Sequence, residues 1–114
     1  MALHLFAGLR VRDYQAARPW YEQLLGEPTM FPHDTEAVWT IADDRSVYIA
    51  EHPDGAGHSV VTLFVDDLDG VVASIAERGL EPAERETYSN GVRKVTYRDP
   101  DGNEVGFGGA PLDG

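Results

Sequence analysis

The sequence predicts an α+β fold built from two successive βαβββ modules, and three observations carry that prediction. The chain repeats itself at an offset of 54 residues, each half opens on a period-two strand followed by an amphipathic helix, and three short strands follow each helix. In the repeat, Leu9-Arg10-Val11-Arg12-Asp13 lies over Leu63-Phe64-Val65-Asp66-Asp67, His4 over His58, and Glu27-Pro28 over Glu81-Pro82.

In the first strand Leu5, Ala7, Leu9 and Val11 form one apolar face, opposed by His4, Phe6, Gly8 and Arg10. In its counterpart Val61, Leu63 and Val65 oppose His58, Val60, Thr62 and Phe64. This alternation marks strands buried on one side only. Asp13 is placed to cap the first helix, whose apolar stripe is Ala17, Trp20, Tyr21, Leu24 and Leu25. Asp67 caps the second, with Leu68, Val71, Val72, Ile75 and Ala76 as its stripe. Gly26 and Gly79 stop the two helices, and Pro19 is expected to kink the first because it removes one helical hydrogen bond. The remaining strands are expected at 28–32, 36–42 and 46–51, then at 82–86, 92–98 and 103–108. Asp43-Asp44-Arg45 is a turn, and Asp99-Pro100-Asp101-Gly102-Asn103 is a stronger one, in which proline presets φ and glycine accepts a positive φ.

At 114 residues the chain suits one domain, 1–114, too small for two independent cores. Module one covers about 3–52, module two about 58–108, and 109–114 form a loose tail, with His52 to Gly57 as the linker between modules. With no cysteine, disulfides, thiolate nucleophiles and cysteine zinc sites are excluded. No run approaches the roughly 20 apolar residues of a membrane span, and Met1-Ala2-Leu3-His4 lacks a basic, apolar signal segment; a cytoplasmic location is the simplest expectation. The formal charge of −11, from 20 acidic against 9 basic residues, speaks against nucleic-acid and membrane-surface partners. The same charge favours cationic ligands, and it also serves solubility alone. No Ser-His-Asp or Cys-His arrangement and no phosphate-cradling glycine loop is legible. Gly106-Phe107-Gly108-Gly109 ends a strand and opens no helix.

The segments Leu9-Arg10-Val11-Arg12-Asp13, Trp20-Tyr21-Glu22-Gln23-Leu24-Leu25-Gly26 and Asp99-Pro100-Asp101-Gly102-Asn103 closely resemble the vicinal oxygen chelate superfamily. That superfamily holds glyoxalase I, extradiol dioxygenases, fosfomycin-resistance enzymes and bleomycin-binding proteins. The resemblance covers about residues 4–108, and it is diagnostic of fold far more than of activity. It implies curved mixed sheets around a cleft and a homodimer in which a second subunit completes that cleft.

Metal-dependent relatives place His or Glu ligands at four strand positions, which the anchor motifs map onto Phe6, Tyr48, Val60 and Gly106. None of these is a good ligand, so no metal and no cofactor is expected. A displaced site through His4 and His58 is the competing arrangement. The strands carrying the other two ligands are expected to run antiparallel to the first pair, so that shift lands on Ala50 and Gly108, which cannot coordinate, with His52 near the rim of the cleft.

By strand parity the cleft is then lined by Phe6, Arg10, Tyr48, Thr62 and Phe64, with His4, His58, Lys94, Thr96 and Glu104 toward its ends. Trp39 is counted among the ligand-binding residues although its direction is open, and Met30 and Phe31 lie close by. Arg10 paired with Glu104 is the structural alternative to a binding role. No catalytic residue is assigned. The closest character is that of metal-free, bleomycin-resistance-like proteins: a small-molecule binder that sequesters an aromatic or cationic antibiotic-like compound in a dimeric cleft, with enzymatic activity left open and, if present, of the glyoxalase lyase or isomerase type. The alternatives are a metal-dependent lyase, isomerase or dioxygenase with a displaced site, a metal-free enzyme using Tyr48, His58 or Glu104, and a scaffold with a vestigial cleft.

Overall fold

Both halves fold as βαβββ in the computed structural model, which describes residues 3–112. Module one comprises β1 (Leu5–Val11), α1 (Tyr14–Leu25), β2 (Met30–His33), β3 (Glu36–Ala42) and β4 (Arg45–Glu51). Module two comprises β5 (Val60–Phe64), α2 (Leu68–Glu77), β6 (Glu84–Thr87), β7 (Arg93–Arg98) and β8 (Glu104–Gly109). A 3-10 turn at Pro53–Gly55 lies between them. Because β8 runs through Gly109, the tail begins one residue later than expected; Asp113 and Gly114 lie outside the described residues.

Each module forms its own four-stranded sheet, ordered β1-β4-β3-β2 and β5-β8-β7-β6. β1 is parallel to β4 and β5 to β8, while the other neighbours are antiparallel. The antiparallel relation expected for those two pairs is therefore corrected. The helix carries the chain back, β2 sets out in the direction of β1, and two hairpin reversals leave β4 in that direction again.

The helix signals act where the sequence put them. The Asp13 carboxylate accepts from the Ala16 N–H at 3.3 Å and Asp67 from the Gly70 N–H at 3.0 Å, satisfying donors that the first turn leaves open. Gly26, at φ 86°, donates to the Glu22 carbonyl. α1 runs unbroken through Pro19, which lies on its exposed side, so water can reach the Gln15 carbonyl that loses its partner. The last carbonyls of α1 are held from the other module. Arg78 donates from Nε to Gln23 O at 2.7 Å and from Nη2 to Leu24 O at 2.9 Å, and Gln23 Nε2 donates back to Arg78 O. A cation at a helix C-terminus also complements the dipole.

One apolar core joins the modules. Tyr21 and Leu24 of α1 and Leu68 and Ile75 of α2 pack with Leu9, Val11, Ile49, Val105 and Phe107 from the sheets. Leu5 and Ala76, expected in the apolar stripes, are exposed: Leu5 stands where pairing with β4 begins, and both lie outside the core cluster.

The Asp99–Asn103 turn is a second polar bond between the modules, beside the Arg78 clasp. The Asp99 carboxylate is buried and accepts four hydrogen bonds: from Tyr21 Oη at 2.7 Å, Asn103 Nδ2 at 2.8 Å, and the Asp101 and Asn103 backbone N–H groups at 2.9 Å. Asn103, with no exposed surface, also donates from Nδ2 to Arg10 O at 2.7 Å and accepts at Oδ1 from the Ser59 N–H at 2.9 Å. Asp101 accepts from the Arg12 N–H at 2.9 Å. One five-residue turn thus holds α1, β1 and the approach to β5.

Asn103→Ala strands the Arg10 carbonyl and the Ser59 N–H. It should cost about 2–5 kcal/mol in urea unfolding, against roughly 0.5 kcal/mol or less for the exposed control Asn90→Ala. Burial, followed by the Asp99 charge, pushes the Tyr21 phenol far above its ordinary value. A folded-state pKa above the unfolded one makes this contribution full below pH of about 10 and lost as pH rises beyond it. Burial raises Tyr97 in the same sense. Tyr21→Phe should therefore lower stability at neutral pH and flatten, without abolishing, the alkaline fall, as read from melts between pH 7 and 11.

Candidate functional site

With both helices packed on one side, the opposite sheet face is left without a helix. Paired residues in a ladder share a face, so the register lays out its contents. In module one the rows are Phe6–Ser46–Thr40, Gly8–Tyr48–Val38 and Arg10–Ala50–Glu36. In module two they are Val60–Glu104–Arg98, Thr62–Gly106–Thr96 and Phe64–Gly108–Lys94. Phe6, Arg10, Tyr48, Thr62, Phe64 and Glu104 accordingly share the helix-free face, and so do Lys94 and Thr96.

Trp39 does not. It pairs with Val47 on the helix side, is 2% exposed, packs 6.1 Å from Tyr21 and donates from Nε1 to Gly26 O at 2.8 Å. Its place among the ligand-binding residues is corrected. The sequence could not orient it because Ala37, Val38 and Trp39 are all buried, which erases the alternation that identifies a face.

Three apolar groups on the helix-free face stay open to solvent: Phe6 is 49%, Val60 66% and Phe64 67% exposed, whereas Val38 is buried. Phe6 stacks on His4 at 4.3 Å, and His4 Nε2 lies 2.9 Å from Ser46 Oγ, which in turn lies 3.2 Å from Thr40 Oγ1. Tyr48 folds over Gly8: a Cβ there would stand 2.6 Å from the Tyr48 hydroxyl oxygen. Beside them a cavity of about 340 Å³ is lined by Gly8, Arg10, Glu36, Tyr48, His52 and Ser59. Glu36 and Ser59 were not expected there, and His52 was expected only near the rim. Glu36 carries the parity signal of β3 that Trp39 obscured, whereas the other two come from the connection and carry no periodic signal. A larger concavity of about 420 Å³ lies between α1 and α2, but its Arg78 and Asp67 are occupied with the helix ends.

Arg10 does not pair with Glu104. Glu104 accepts from Arg98 Nε at 3.0 Å, while the Arg10 side chain lies against Gly55 near His52. His52 Nδ1 accepts from the Gly55 N–H at 3.0 Å. His58 is exposed just before β5.

The donor set does not fit a metal. By register Phe6, Tyr48, Val60 and Gly106 share the helix-free face, and none supplies an imidazole or carboxylate. Parallel pairing also relocates the displaced arrangement. His4 is level with Asp44, its Nδ1 3.7 Å from Oδ1, and not with Ala50; His58, continuing the register back from Val60, is level with Gly102 and not with Gly108. Among the described residues no group of three or more His, Asp or Glu side chains is gathered to hold an ion.

A sequence profile of the Glyoxalase/Bleomycin resistance protein/Dioxygenase superfamily matches residues 2–107. The chain is similar to the crystal structure of a glyoxalase / bleomycin resistance protein from Catenulispora acidiphila DSM 44928. The two are 57% identical over 96% of this chain and 100% of that one, with a TM-score of 0.92. The fold is also that of a bleomycin-binding protein complexed with bleomycin, at 19% identity, 96% and 98% coverage and a TM-score of 0.71. TnmS3, an antibiotic binding protein from Streptomyces sp. CB03234, shares it at 22% identity, 98% coverage of both chains and a TM-score of 0.70. No functionally curated protein matches this chain.

Gly8→Ala should drive the Tyr48 ring off β1 and cost about 1–3 kcal/mol. In the double variant Gly8→Ala/Tyr48→Ala the penalty should be largely absent relative to Tyr48→Ala alone, as a double-mutant cycle in urea would report.

Proposed function

The chain belongs to the Glyoxalase/Bleomycin resistance protein/Dioxygenase superfamily, and from that premise we propose that it is a metal-free binding protein that sequesters a planar aromatic or cationic small molecule on the helix-free face. A second copy of the chain closes that face into a cleft. The observation that carries the reading is the set of large apolar side chains, Phe6, Val60 and Phe64, left open on this one face. Exposed apolar area gathered on one side of a small domain marks a binding surface. Aromatic walls suit flat ligands through offset stacking and suit cations through the ring faces. The poor donor set at Phe6, Tyr48, Val60 and Gly106 supports binding without a metal, and the bleomycin- and antibiotic-binding proteins of the same fold support a small-molecule ligand. No step of bond making is assigned to any residue. The cavity beside Arg10 and Tyr48 adds polar groups that orient a ligand.

Thermal melts of the protein purified without a metal-binding tag provide the test, together with elemental mass spectrometry. The expected result is less than one-tenth of a metal per chain and no rise in Tm with nickel, zinc, manganese or iron(II). A matched aromatic ligand at a hundredfold excess over Kd should stabilise by about 2.7 kcal/mol and be recovered unchanged. One tightly held ion per site that raises Tm would overturn the reading.

A further inference from the structure

We propose that the module-two half of the helix-free face is a carboxylate-recognising subsite centred on Lys94, so that the ligand is a planar aromatic acid held by its ring on Phe64 and by its carboxylate on the ammonium. This rests on the binding reading above and narrows its ligand class.

Lys94 is the chain's only lysine, set among 20 acidic residues. It is half-buried, and among the described residues it makes no ion pair. The acids around it are otherwise disposed. Glu84 and Glu104 both bind Arg98, and Glu86, the register partner of Lys94 on β6, is exposed and forms no salt bridge with it. A cation without an ion-pair partner on a partly covered sheet face is available to pair with an anionic group of a ligand.

The backbone is shaped to hold this side chain. Lys94 lies across Gly106, where a Cβ would meet its Cε at 2.7 Å and its Nζ at 3.6 Å. Any larger residue at 106 would displace the lysine from the sheet. Thr62 Oγ1 stands 3.5 Å from the same point, so a hydroxyl donor and the ammonium flank one spot above Gly106. One row along, the Cδ1–Cε1 edge of Phe64 stands over Gly108, 3.1 Å and 3.6 Å from where a Cβ would stand, and the residue is 67% exposed. Two buried glycines on β8 thus seat an ammonium and an aromatic plate side by side. An aromatic carboxylate matches that pair: the ring stacks on Phe64, and the carboxylate accepts from Lys94 and Thr62.

Three probes with the same ring separate the possibilities: 2-naphthoate, 2-naphthalenemethanol and 2-naphthylmethylammonium, titrated by calorimetry and by amide chemical shifts. Naphthoate should bind the parent protein about tenfold more tightly than the alcohol, with shifts centred on Thr62, Phe64, Gly106 and Gly108. Lys94→Met should erase that preference while leaving alcohol binding unchanged, and Lys94→Arg should keep most of it. Equal binding of acid and alcohol, tighter binding of the ammonium, or an acid preference that survives Lys94→Met would overturn the subsite and leave the binding face standing. Failure of all three probes to bind would overturn the binding reading and this inference with it.

Discussion

A buried carboxylate with no cation beside it is costly unless donors surround it, and Asp99 is surrounded by four. Two come from its own turn's backbone, one from Asn103 and one from Tyr21 on the far module's helix. That arrangement makes the turn a fixed object rather than a loop. Asn103 then reaches both first strands, through Arg10 O and the Ser59 N–H, and Asp101 reaches Arg12. Among the described residues the two sheets have no ladder between them, so their relative placement depends on this turn, on the shared core and on the Arg78 clasp over the end of α1. The helix-free face spans both modules, and its geometry follows from the same constraint.

The modules repeat in backbone but not in the chemistry they expose. Gly8 and Thr62 are equivalent by the repeat, yet in module one the glycine is on β1 and Tyr48 folds over it. In module two the glycines are on β8, covered by Lys94 and Phe64. The first half carries a His4–Ser46–Thr40 polar chain and a cavity beside Arg10, whereas the second carries an open ring and an ammonium that forms no ion pair among the described residues. Core-facing positions answer to packing and change little without cost. The opposite face has no such duty, which leaves it free to differ between halves.

Period-two alternation, helix caps and turn residues are local signals, and they located every strand and helix to within about two residues. They also placed Phe6, Arg10, Tyr48, Thr62, Phe64 and Glu104 on one face, because a pleated strand must send successive side chains to opposite sides. They failed for Trp39, whose strand is buried on both faces, and for Leu5, which carries the core pattern beyond the reach of the core.

What the sequence determined by itself is therefore the elements, their repeat and the parity of each strand, since those depend on neighbouring residues alone. Tertiary structure decided the direction of β4 and β8 against their partners, the pairing of Glu104 with Arg98 in place of Arg10, and the entry of Glu36, His52 and Ser59 into the cavity. Each of these joins residues far apart in the chain or on different strands. Only the completed register and the Asp99–Asn103 turn bring them within reach of one another.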